Sequence, residues 1–351
     1  MHLSTTLRKV AGFTALAAIS ALVLSACSSS GGSTSGSSNT GSSHTSSGSP
    51  TSTTKVNLRL DFVHTAKDAI WTYGIDQGIF KAAGIDLSIG DGKGSATTAQ
   101  TVSNNSDDFG LVDAGTWLTG ASKGLQGKAI MTTVDGGSFA ILSTTKNPIT
   151  SLTQLAGKSV AITAGDAPST LLPAVLKKAG VDASKVREVN MQAASKLTAL
   201  STGRVDSVAT STLVQATLAA TGTQTTAVTY ASVGVNTPGW YLVASPKMLA
   251  DPDLTARFVA AAQKAIAATL ANPTAAVASF VKHFPDQKLS TATSAFGIIQ
   301  PLIRTSDLMS KPIGYVSPTA AEFTSSVLAQ YGSYKTAAGP VTNYYTNEFI
   351  K

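Results

Sequence analysis

Cysteine is nearly absent. The 351-residue chain has one, Cys27, so neither an intrachain disulfide nor a cysteine-built zinc site can form. Histidine is scarce too. Of His2, His44, His64 and His283, the first two lie in segments that do not read as folded. The other two are far apart, which argues against a histidine-rich metal centre. Glutamate occurs only at 188, 322 and 348, so a carboxylate acid/base pair would have to be built from Asp. No Gly-x-Ser-x-Gly elbow, HExxH pair or EF-hand loop appears. Gly157-Lys158-Ser159 lacks the upstream glycine of a phosphate loop and precedes a strand, so it reads as a turn. These absences argue against an enzyme, a bound metal and a cofactor. The charge of +7 comes without a Lys/Arg cluster interleaved with aromatics, so nucleic acid is not an expected partner.

What is present begins with a targeting pattern. Arg8 and Lys9 precede an apolar run, Val10 to Leu24, that ends in Leu24-Ser25-Ala26-Cys27. Charge, apolar stretch and small residues make a secretory signal over 1–26. The Leu-Ser-Ala-Cys ending resembles a bacterial lipobox, with Cys27 as the lipidated first mature residue. Residues 28–54 are Ser, Gly and Thr except for Asn39, His44 and Pro50. Such a stretch cannot bury enough apolar surface to fold. We read 27–55 as a lipidated tether with a root-mean-square span of about 30 Å. The expected location is the outer face of the cytoplasmic membrane, held there by the lipid.

The whole chain is 43% hydrophobic, and the part after the tether is too long for one small core. Val56, Leu58, Leu60 and Phe62 alternate as a strand, and a helix is expected from Ala66 to Ala82. Strands follow at 85–89, 109–112, 129–134 and 139–143, with helices near 95–103 and from Thr116. The pattern restarts with strands at 159–163, 186–190, 205–209 and 226–230, and a helix opened by Asp166-Ala-Pro-Ser169. Trp240 to Ala244 is one more strand, and the remainder is mainly helical. This alternation predicts an α/β fold with helix-covered sheets. Asn105-Ser-Asp-Asp-Phe-Gly-Leu-Val112 echoes Thr202-Gly-Arg-Val-Asp-Ser-Val-Ala209, as two similar lobes would.

Ligands of open α/β sheets sit beyond the carboxyl ends of the strands. That rule selects Asp113 and Thr116 after one strand, and Thr210 and Ser211 after its counterpart. Gly90-Asp-Gly-Lys-Gly94 follows a strand and opens a helix at Ser95, so its N–H groups are either an anion cradle or a solvent turn. Asp166 and Ser169 hold the matching place in the second lobe, as ligand contacts or as a helix cap. Trp71, Trp117 and Trp240 all lie near expected strand ends and suggest an aromatic-walled pocket. His64, between the first strand and helix, and Asn236, just before Trp240, complete the candidates.

Leu60-Asp-Phe-Val-His64, then Gly74-Ile-Asp-Gln-Gly78-Ile-Phe-Lys-Ala-Ala-Gly84-Ile-Asp-Leu, resembles the opening of ABC-transporter substrate-binding proteins for nitrate, sulfonates, taurine and thiamine-pyrimidine precursors. Ser151-Leu-Thr-Gln-Leu-Ala-Gly157-Lys-Ser-Val-Ala and Gly203-Arg-Val-Asp206 are similar to later motifs of that family. The resemblance implies a two-lobed periplasmic-binding fold, type II-like, crossed twice by the chain. The crossings are expected near Asn147–Thr150 and Val235–Gly239, giving a first lobe of 56–147 and 237–351 and a second of 148–236. It further implies a monomer that captures a small solute and delivers it to an ABC permease with its ATPase. The ending Thr346-Asn-Glu-Phe349 is similar to the pyrimidine- and riboflavin-binding branch and favours a planar organic solute. The sulfonate, taurine and nitrate branch is the alternative, as is a sensor that binds without transport. A fungal pyrimidine synthase also resembles this family, but it carries a Cys-rich segment that this chain lacks.

Overall fold

A computed structural model of the protein describes residues 53–331 and 339–351. The signal, Cys27 and most of the tether lie outside the described residues. The first stretch gives strand β1 (Thr54–Arg59), helices α1 (Ala69–Asp76) and α2 (Ile79–Ala82), and strand β2 (Ile85–Gly90). The single helix expected over 66–82 is therefore broken. Gly78, at a φ of 67°, adopts the left-handed conformation that separates α1 from α2. Helix α3 (Ser95–Ser103), β3 (Phe109–Asp113), α4 (Ala114–Ser122) and β4 (Lys128–Val134) follow. Next come β5 (Phe139–Thr144), β6 (Ser159–Ile162), α5 (Ala167–Lys178), β7 (Arg187–Asn190), α6 (Ala193–Ser201), β8 (Ser207–Ser211), α7 (Val214–Ala220) and β9 (Thr225–Thr229). Strand β10 (Trp240–Ala244) precedes helices α8 (Pro246–Leu249), α9 (Pro252–Ala271), α10 (Pro273–His283), α11 (Leu289–Ile303) and α12 (Pro318–Tyr331).

The strands form two five-stranded sheets, ordered β2-β1-β3-β10-β4 and β7-β6-β8-β5-β9. In each, one strand runs against its neighbours: β10 in the first, β5 in the second. The sequence echo has a structural cause. Asp108 accepts the Asn57 N–H at 3.0 Å and Asp206 accepts the Ser159 N–H at 2.8 Å. Asp108 thus ties β3, which follows it, to β1, and Asp206 ties β8, which follows it, to β6.

One expected boundary is corrected. β5 pairs with β8 and β9, so the chain leaves the first sheet at 135–138 and not near 147–150. It returns between Val233 and Trp240. The two passing segments touch: a Cβ on Gly137 would sit 2.6 Å from the Thr237 carbonyl oxygen, and one on Gly239 would sit 2.9 Å from that of Gly136. Only glycine allows that approach.

The C-terminal helices close the first lobe from behind and bridge to the second. α9 packs on α1, and its Phe258 stacks on Phe109 at the start of β3 with centroids 4.1 Å apart. α11 spans from the 3-10 turn Ala66–Asp68 to α7, and α12 touches both α4 and α5. Asn347, in the Thr-Asn-Glu-Phe ending, accepts the Val316 N–H and donates to its carbonyl, both at 2.9 Å, fixing the approach to α12.

Candidate functional site between the sheets

In the first sheet β1, β2, β3 and β4 point one way and β10 the other, so Asp61, Asp91, Asp113 and Trp240 share one edge. In the second, Thr163, Asn190, Ser211 and the start of β5 share the corresponding edge. The edges meet. Phe139 packs edge-on against Trp240 at 5.8 Å. A Cβ on Gly165 would lie 3.3 Å from that of Ala96, and one on Gly115 would lie 3.7 Å from Leu171.

The first-sheet side is built on carboxylates. Asp61 lies just past the end of β1 and accepts the Trp240 indole N–H at 2.8 Å. Its other oxygen pairs with Lys67 Nζ, also at 2.8 Å. Lys67, in the turn before α1, also binds Asp68 at 2.9 Å and lies over the Trp240 ring at 5.3 Å. Lys67 and Asp68 are both buried. The two carboxylates raise the lysine pKa although burial opposes the charge, and burial raises that of Asp68. Trp240 pairs across the ladder with Asp113. Asp113 caps α4, its Oδ1 accepting the Thr116 N–H at 2.9 Å, and its backbone N–H donates to the Ser95 hydroxyl. Its Oδ2 and the Thr116 hydroxyl are enclosed without a hydrogen-bond partner. Burial pushes the Asp113 carboxyl up to about 6.

A buried acid of that kind weakens the fold when it ionises. With the folded value near 6 and the unfolded one at 3.8, the folded state holds more protons between them. Stability therefore falls as pH rises through that window and stays reduced above it. Asp113→Asn keeps an oxygen for the Thr116 cap and removes the ionisation. It is expected to gain about 2–3 kcal/mol at pH 7 relative to wild type and almost nothing at pH 3.5, by denaturant titration at both values.

The second-sheet side is more settled. Asp166 caps α5 through the Ser169 N–H at 2.9 Å, while its Oδ2 binds Lys196, which also donates to the Ala209 carbonyl. The Ser169 hydroxyl accepts the Thr163 N–H. Ser211 shares a hydrogen bond with Ser138 at 2.8 Å, and Thr210 is buried on β8.

The structure thus gathers Asp113, Thr116, Ser95 and Trp240 on one side and Asp166, Ser169, Thr210 and Ser211 on the other. Other candidates lie elsewhere. Trp71 stacks on Phe258 and Trp117 donates to the Tyr344 carbonyl at 2.8 Å, both inside the core. The three-tryptophan wall is therefore not formed, and Trp240 alone remains. Gly94 makes no anion cradle, because the N–H groups of Gly92 and Gly94 donate to the carbonyls of Phe62 and Asp61. His64 is held between Asp91 and Asp286 at 3.0 and 3.1 Å and stacks on Phe284. Asn236 lines a separate cavity. Sequence reasoning missed Asp61, Lys67, Asp68, Ser138, Phe139 and Lys196. Asp61 was findable, since it follows β1 as Asp113 ends β3.

A family model described as NMT1/THI5 like matches residues 68–276. No curated protein sequence matches the chain. Among solved structures, the chain is similar to a protein of Bordetella bronchiseptica, with 21% identity and a TM-score of 0.68 over 84% of this chain and 95% of that one. The alkanesulfonate-binding protein SsuA of Xanthomonas axonopodis pv. citri, bound to MOPS, gives 11% and 0.65 over 84% and 99%. A Candida albicans gene product with the generic periplasmic binding protein fold gives 12% and 0.65 over 85% and 98%. At these identities the likeness shows the fold.

Proposed function

This chain belongs to the NMT1/THI5-like family, and on that footing we propose that it is an extracytoplasmic solute-binding lipoprotein serving an ABC importer. It captures a small organic solute between the two sheets and presents it to a permease and its ATPase. The observation that carries this reading is the pair of strand-end edges meeting across two adjacent glycine-bearing segments. A two-segment pivot lets the lobes part and close around a solute without chemistry.

A planar, pyrimidine-like solute fits this site best. Trp240, with Phe139 against it, supplies an aromatic surface. The spare oxygen of Asp113 and the Thr116 hydroxyl, enclosed while the two edges meet, accept from ring or amino N–H groups once the lobes part to admit the solute. Asp61, Asp68 and Asp113 outnumber Lys67 on the first side, and Lys196 is engaged by Asp166 on the second. That balance disfavours sulfonate, taurine or nitrate, although the sulfonate-binding protein of similar fold keeps that alternative in view.

The test is a thermal-shift panel on residues 55–351 with pyrimidines, thiamine, riboflavin, taurine, alkyl sulfonates and nitrate. A solute at a hundred times its Kd should add about 2.7 kcal/mol of stability. A shift with a heterocycle supports the reading, and a shift only with sulfonates or nitrate replaces the solute class. Anchoring is tested separately. Cys27→Ser should move the protein from the membrane fraction to the medium, and continued incorporation of labelled lipid would refute the anchor.

A further inference from the structure

His64 sits in the loop that joins β1 to α1, between Asp61 and Lys67 in the chain. Both of its ring nitrogens face carboxylates. Nδ1 lies 3.0 and 3.1 Å from the two oxygens of Asp91, just past β2. Nε2 lies 3.1 Å from both oxygens of Asp286, in the corner between α10 and α11. The His64 backbone N–H also donates to Asp91, at 3.0 Å. The ring lies flat on Phe284, with centroids 4.0 Å apart and planes 9° apart, and Phe280 stands beside it.

An ionised carboxylate only accepts, and a neutral imidazole has one N–H. Neutral His64 therefore satisfies one aspartate and turns a lone pair toward the other. Only the imidazolium donates to both. The other cations on these elements do not take its place. Lys67 pairs with Asp61 and Asp68, and Arg59, which donates to the Asp91 carbonyl, pairs with Asp107. On α10, Lys282 and His283 pair with Asp76. Lys93 and Lys288 form no ion pair among the described residues.

The histidine joins two parts of the molecule. Its own loop carries Asp61, which holds the Trp240 indole N–H, and is zipped to the next loop by the N–H groups of Gly92 and Gly94. On the far side, Asp286 leads into α11, the helix that touches α7 of the second sheet.

We propose that His64 is a positioning residue for the solute site, and that its protonation sets how firmly the Asp61 loop is held. As the imidazolium it fastens that loop to Asp91 and to the α10–α11 corner, and Asp61 stays aimed at Trp240. As pH rises and the ring loses its proton, one aspartate faces a lone pair, that contact opens and the loop loosens. The support is thus present on the acid side and lost on the alkaline side. The proposal rests on the strand-end cluster being the solute site, but its test uses no solute and so fails or succeeds apart from that reading.

The test is heteronuclear NMR on residues 28–351 without solute, from about pH 5 to 8. It follows the ring nitrogens of His64 and the indole N–H of Trp240. At the acid end both ring nitrogens should show imidazolium shifts. Loss of the proton should move the Trp240 signal with the same midpoint. Asp113, pushed up to about 6, moves that signal too, so the component that counts is the one lost in His64→Gln. The Gln amide still bonds one aspartate, which keeps the loop near its place. Asp286→Asn, at a side chain 62% exposed, is a second variant that does not depend on the first. It should displace the His64 midpoint and the Trp240 component together. Two results would overturn the proposal. One is a Trp240 profile that is the same in His64→Gln as in wild type, even if the melting temperature falls. The other is a His64 ring that keeps one protonation state across the whole range.

Discussion

Lys67→Met should destabilise the protein by about 3–5 kcal/mol at pH 7, as removing one partner from a buried charge cluster does. The lysine is 5% exposed and sits between Asp61 and Asp68 at 2.8 and 2.9 Å. Removing it strands two carboxylates in a dry setting, one of them fully enclosed. The pH dependence follows from the sign of that strain. Burial already raises Asp68, and loss of the lysine removes an opposing influence. A carboxyl whose folded pKa exceeds its unfolded one is penalised as pH rises, so the deficit should shrink toward pH 4. Chemical denaturation at pH 4 and pH 7 checks it. A deficit that is equal at both values would mean that the stem of Lys67, and not its charge, is what the fold needs. Trp240 should respond as well, because Asp61 then loses the charge that orients it toward the indole N–H.

Trp71→Ala and Trp240→Ala should separate folding from binding. Trp71 is 1% exposed and lies against Phe80 and Phe258, so its loss should cost about 3–5 kcal/mol while solute affinity is kept. Trp240 sits at the sheet edge with its indole N–H on Asp61 and its ring between Lys67 and Phe139. Its loss should weaken solute binding by about tenfold or more, as removal of a stacking surface does. Calorimetric titration beside denaturant curves reads both. If the two variants lose affinity in proportion to stability, the aromatic contact is not part of the site.

The strands were legible because their signals are local. Trp240–Ala244 and the helix Ser95–Ser103 come out with the expected bounds. Which sheet a strand joins is not local. Phe139–Ser143 reads the same whether it lies beside β4 or beside β8, and the choice is made by partners about 70 residues on. The tryptophans fail for a related reason. Trp71 lies close to a strand end in sequence, but its direction is set by α9, nearly two hundred residues later. The Gly90–Gly94 loop looks like an anion cradle until the β1 extension supplies carbonyls to its N–H groups. Asp113 falls on the strand-end edge because the carboxyl end of β3 is a place that topology fixes, and Trp240 joins it there because β10 runs antiparallel to β3. Lys67 was missed because a lysine in a helix-initiating turn normally faces solvent, and only the pairing with Asp61 explains its burial.

The most direct measurement is a structure of the protein with the solute that the panel selects. The solute should lie between the sheets, stacked on Trp240, with a donor group on Asp113 Oδ2 or the Thr116 hydroxyl and the second lobe closing from Ser211 and Asp166. A solute found outside that layer, with Asp113 and Thr116 still enclosed and unpartnered, would contradict the account.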